Sequence, residues 1–156
     1  MRMGNPADPR TVEATVRLFT PAEANALVPA IETVLRRMDP KLAREREIDD
    51  LLGDLESYWG PDLTGAGDED AAAHARLAGE RASLHASLEA DLEEILSNGV
   101  EVKDVRMGLV DFYAKIGGSL AYLCWQRGEP RVAHWHSLDG GFAARKTIDP
   151  KAWAEP

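Results

Sequence analysis

The sequence has one cysteine, Cys124, which excludes an internal disulfide and is in keeping with a reducing compartment. It has no apolar run near the ~18–20 residues needed to cross a bilayer, and Met1–Pro9 lacks the apolar core of a signal peptide. The cytoplasm is therefore the expected location. A basic excess is also missing: Lys and Arg number 18 against 27 Asp and Glu, a formal net charge of -9. Nucleic acids and anionic membranes are bound by basic surfaces that displace counterions, so neither is an expected partner. No Ser-His-Asp set, phosphate loop, zinc ribbon or dinucleotide fingerprint can be read in the chain.

What is present suits one globular domain. The 156 residues, 44% hydrophobic, match the commonest domain size of ~100–150 residues and can bury one core. The acids are unevenly placed. They outnumber bases by more than two to one from Pro21 to Asn98, whereas the two balance from Gly99 onward.

Residues 1–10, with Gly4, Pro6 and Pro9, read as a flexible leader, and Thr11–Phe19 alternates weakly as a short strand would. Thr20-Pro21-Ala22-Glu23 is a helix start: a capping hydroxyl, a proline where no N–H is required, and a glutamate able to reach back. Apolar residues at steps of three and four run from Leu27 through Ile31, Val34, Met38 and Leu42 to Ile48, Leu52, Leu55 and Trp59. Pro29 and Pro40 predict kinks or a short break in that stripe. A second helix opens near Asp68 or Asp70, passes through Leu77, Leu84, Leu88, Leu92 and Ile95, and stops at Asn98-Gly99. Residues 20–98 thus form an antiparallel hairpin.

After Gly99 the apolar period falls to two. Val100 and Val102, then Val110 to Ile116, then Leu120 to Gln126 and Arg131 to His136 read as strands, with Gly117-Gly118 and Arg127-Gly128-Glu129-Pro130 as turns. An antiparallel sheet over 99–142 and a tail over 143–156, pinned by Trp153, complete an α+β fold. In it a long helical hairpin packs with a C-terminal β-meander.

Leu120–Arg145 holds the candidate chemistry: Cys124, two of the four tryptophans, two of the four histidines and a Gly-Gly break. His134 and His136, two apart on a strand, share a face and can present imidazoles to one divalent metal ion, with Asp139, Glu129 or Asp111 as further ligands. Gly140-Gly141 allows close approach of a ligand, and Arg145 offers an anion-binding fork. Trp125, Trp135 and Phe142 can wall a small-molecule pocket. Cys124, between Leu123 and Trp125, reads as a small buried hydrophobe.

The blocks RLFTPAEANALVP at Arg17–Pro29, GVEVKDVRMGLVDF at Gly99–Phe112 and YLCWQRGEPRVAHWHSLDGGFAAR at Tyr122–Arg145 resemble an uncharacterised bacterial family, domain of unknown function 2203. The resemblance brings no activity. It puts emphasis on Asp111, Trp125, Gly128, Glu129, Trp135, His136, Asp139, Gly141, Phe142 and Arg145, and departs at His134, where the family is usually aromatic. That shifts weight to His136 with Glu129, Asp139 and Asp111, a set suited to acid–base work or a hard divalent metal. The leading expectation is a small cytosolic binding or assembly module that dimerises through its helical hairpin. The alternative is a metal-binding protein or a metal-dependent or acid–base enzyme using His136, Glu129, Asp139 and Arg145.

Overall fold

The computed structural model describes residues 16–153. The leader expected over 1–10, most of the strand expected over Thr11–Phe19, and the Trp153 side chain lie outside the described residues. The chain divides into two compact units. One comprises residues up to Thr33 together with those from Ile95 onward, and the other is Val34–Glu94.

Helix α1 spans Pro21–Trp59 and helix α2 spans Asp68–Leu96. The start of α1 is the capping box the sequence predicts: the Glu23 N–H donates to Thr20 Oγ1 at 3.2 Å and the Thr20 N–H to Glu23 Oε1 at 3.1 Å. Of the kinks or short break expected at the prolines, the break is absent: α1 is continuous through Pro29 and Pro40. Each proline removes one backbone donor, a loss the helical bonds on either side can carry. Three acids, Asp68, Glu69 and Asp70, sit in the first turn of α2, where the helix dipole favours negative charge. Beyond its end Gly99 takes a φ of 85°, the left-handed conformation of a helix stop.

Within Val34–Glu94, Ile48, Leu52 and Leu77 form a buried cluster, with Leu55 and Leu84 packed against it. Polar pairs join the two helices along the same span. Arg44 grips both oxygens of Glu80 at 2.7 and 2.9 Å, His85 meets Glu45 at 2.7 Å and His74 meets Glu56 at 3.0 Å. His85 therefore pairs across the hairpin.

The buried Asp91 carboxylate receives Arg37 at 2.8 Å and Lys41 at 2.6 Å. Burial alone would push its pKa up, but hydrogen bonds from Lys41 and Arg37 outweigh it and hold Asp91 below the ordinary carboxylate value. A depressed folded pKa contributes stability that is full above the unfolded value and fades as pH falls through the folded one. Asp91→Asn is therefore expected to flatten the acid limb of a melting-temperature profile below about pH 4. An acid limb as steep as the parent's would show that Asp91 is not the group responsible.

The other unit carries a five-stranded antiparallel sheet in the order β1 (Glu101–Asp104), β2 (Leu109–Ile116), β3 (Ser119–Gln126), β4 (His134–Ser137), β5 (Lys146–Thr147). Gly117 and Gly118, at φ 57° and 82°, make the two-residue hairpin between β2 and β3. Gly108 has a second reason to be glycine: at φ 65°, a Cβ there would come within 2.5 Å of Arg127 Cβ. Two expected boundaries move. Arg131–Ala133 lie outside β4, and the Val132 N–H is taken by Asn25 Oδ1 at 2.7 Å instead of by a neighbouring strand. The tail, read as aperiodic, supplies β5 and the short 3₁₀ turns Phe142–Ala144 and Pro150–Trp153. Of the expected N-terminal strand, only residues from 16 on are described. They form no strand, although the Phe19 N–H donates to the Tyr113 carbonyl at 2.7 Å.

Candidate functional site

Strand register divides the sheet into two chemically different faces. Val110 stands opposite Trp125, Phe112 opposite Leu123 and Ala114 opposite Ala121, all buried, with Phe19 meeting Phe112 edge to face at 5.3 Å. This is the core face. The residues between them point the other way, since successive side chains alternate. Glu101, Asp111, Cys124, His134 and Thr147 form one row running across all five strands. Tyr113, Tyr122 and His136 form the next.

On this polar face Asp111 of β2 and His136 of β4 lean toward each other over β3, and Asp111 Oδ2 lies 3.1 Å from His136 Nε2. Their side chains are only 2% and 4% exposed. The other imidazole nitrogen, Nδ1, donates to the Ser137 carbonyl at 2.8 Å, which fixes the tautomer and leaves Nε2 facing the carboxyl group. Asp111 Oδ1 is buried with no hydrogen-bond partner. Burial raises the Asp111 pKa, with His136 opposing it, and burial next to the Asp111 carboxylate pushes the Cys124 thiol up to about 12. As a free thiol, Cys124 is an inert nucleophile.

Among the described residues, Asp111, Cys124 and His136 form a group whose ligand atoms all lie within 4.8 Å of one another. A carboxylate, a thiolate and an imidazole are ligand types that suit zinc and related transition-metal ions. The carbonyl that receives Nδ1–H is the partner that metal-binding histidines usually keep behind them. Asp111 and His136 also line a cavity of about 230 Å³, with Lys103, Leu138 and Phe142 among its walls.

Neighbouring groups hold this cluster on two sides. Glu101 accepts hydrogen bonds from Tyr113 and from Tyr122, the latter at 3.2 Å, and pairs with Lys103. Burial raises the Glu101 pKa, but Lys103 and Tyr113 bring it below the ordinary value. On the other side Arg145 acts on Cys124, donates to Glu129 at 2.8 Å, and stacks its guanidinium 4.2 Å from the centre of the Phe142 ring. Glu129 is held further by the Gln126 N–H at 2.6 Å.

The structure brings together two of the residues singled out from sequence, Asp111 and His136, and adds Cys124. His134 lies on the same face, 3.5 Å from Glu129, with its Nδ1 otherwise unpartnered. Glu129 and Arg145 pair beside the cluster, and Asp139 is exposed in the turn after β4. Of the expected pocket walls, Phe142 lines the cavity. Trp125 belongs to the core face, and Trp135, with Lys146 Nζ 5.1 Å from its ring centre, alternates with the histidines. Sequence reasoning passed over Lys103, Tyr113 and Tyr122. Their signal was available in the alternation that sets Tyr113 and Tyr122 opposite the apolar residues beside them.

Fold and site together define an α+β protein whose meander carries a buried carboxylate, thiol and imidazole on three adjacent strands. The chain belongs to the family of uncharacterized conserved proteins DUF2203, whose model matches residues 17–148. No curated protein and no solved structure matches it. Among the described residues, no helix is long and apolar enough to cross a membrane.

Proposed function

We propose that this protein binds one divalent transition-metal ion of the zinc class through Asp111, Cys124 and His136. The observation that carries the reading is the orphaned Asp111 Oδ1, buried beside an imidazole nitrogen and a thiol. A buried carboxylate oxygen without a partner costs about 1–3 kcal/mol, and a coordinated cation removes that cost. The cysteine moves the choice of metal away from the hard ions that suit histidine with several carboxylates. Three protein ligands with an adjoining cavity are the arrangement of sites that keep a position for an exogenous ligand.

Mass spectrometry of tag-free protein loaded with zinc is expected to find about one ion per chain. Asp111→Asn, Cys124→Ala and His136→Ala should each lose most of it, while His134→Ala, Glu129→Gln and Asp139→Asn retain it. A parent that takes up no zinc, cobalt or manganese after incubation and desalting would end this reading.

Dimerisation through the helical hairpin is the second reading, and it rests on Tyr58. That side chain is 78% exposed and lies seven residues from exposed Leu51, so both fall on one stripe of α1. Sedimentation velocity at high micromolar concentration should give a dimer that Tyr58→Glu dissociates. A parent sedimenting as a clean monomer would sink it.

A further inference from the structure

We infer that the cavity over the metal ligands takes a short-chain carboxylate, whose anionic head meets the metal and Lys103 while its apolar body lies on Leu138 and Phe142. The inference rests on the metal reading above and adds the class of ligand that the site takes. With Asp111 and His136 engaged by the ion, Lys103 is the remaining charged side chain lining the cavity. Its ammonium sits 4.6 Å from the centre of the Tyr122 ring, and its charge reaches Asp111. Glu101, its partner, is already matched by two phenols, and a lysine has three donors, so one can turn to an incoming anion. The remaining walls are different in kind. Leu138 and Phe142 are each 37% exposed, large apolar side chains left uncovered at the cavity, with Leu109 beside them.

Size narrows the class. At about 230 Å³ the cavity falls below the ~300–1,000 Å³ of pockets for drug-sized ligands, so its ligand is small. A bare inorganic anion would leave the apolar wall wet, and a long acyl chain would extend past that wall into solvent. A head that bridges metal and ammonium, with a short apolar tail, satisfies both ends of the cavity.

The test uses the full-length protein loaded with cobalt, whose ligand-field absorption reports on the ion's coordination. Thiolate-to-cobalt charge transfer, lost in Cys124→Ala, first establishes that the metal is bound as proposed. Its absence in the parent would overturn the metal reading and this inference together. With cobalt bound, butyrate is expected to change the spectrum saturably at millimolar concentration. Lys103→Met should weaken that response about tenfold at unchanged cobalt content, and acetate and chloride should bind at least about fivefold more weakly than butyrate. Bound cobalt whose spectrum ignores butyrate would overturn the inference and leave the metal reading standing. So would acetate or chloride binding as well as butyrate, or an undiminished response in Lys103→Met.

Discussion

Chelation is expected to lower the unfolding temperature of zinc-loaded protein by roughly 5–10 °C and to leave Cys124→Ala unchanged. A ligand present at about a hundred times its dissociation constant stabilises the folded state by about 2.7 kcal/mol, and near this chain length each kcal/mol moves the midpoint by about 2–4 °C. Two features of the cluster are contained in that affinity and oppose each other: losing the ion would strand Asp111 Oδ1 again in a buried position, whereas reprotonation of the Cys124 thiol, whose pKa burial has pushed up to about 12, would favour the stripped state. The variants then sort by cause. A ligand-removing substitution should abolish the chelator effect, whereas Glu129→Gln, outside the ligand group, should keep most of it. Identical melting of stripped and loaded parent protein, checked by scanning calorimetry, would mean that no ion is held by the fold.

The second large effect concerns the opposite face of the sheet. Trp125 is fully buried, stands across from Val110, and donates from Nε1 to the Glu129 carbonyl at 3.1 Å. Trp125→Ala should cost about 3–5 kcal/mol, a large share of the roughly 5–15 kcal/mol that keeps an ordinary domain folded. Trp125→Phe keeps most of the ring packing but leaves the Glu129 carbonyl without its donor, and should cost about 1–3 kcal/mol. Urea unfolding of both variants separates the two contributions. If both lose the same stability, the hydrogen bond and not the packing is what Trp125 supplies.

How far the sequence led depended on the distance over which each decision is made. Capping at Thr20 and Glu23 is settled within four residues, and the Gly117-Gly118 hairpin within two, and both were legible. The β5 strand was not, because Lys146 and Thr147 are exposed and too short a pair to show alternation. The start of β4 moved because a side chain from α1, Asn25, takes the Val132 N–H, a partner 107 positions away. The same holds at the site. Asp111 and His136 could be singled out by type, but sequence proximity drew Asp139 and Glu129 to His136. Cross-strand register, which is not local, put Cys124 opposite Asp111. Flanked by Leu123 and Trp125, the cysteine looked like core, and its burial bears that out even though it faces the polar side.

The row Glu101, Asp111, Cys124, His134 and Thr147 takes one residue from each strand, and this has a bearing on time. No hairpin of the meander contains the whole ligand group, since Asp111, Cys124 and His136 come from three successive strands. Ions offered to the unfolded chain find isolated side chains and little to hold them. On the proposed metal reading, capture would wait until β4 has docked beside β3 in its final register, and a slip of one residue would send His136 to the core side. Metal uptake during refolding would then mark the last step of sheet assembly and lock it, slowing the departure of β4 more than it speeds its arrival.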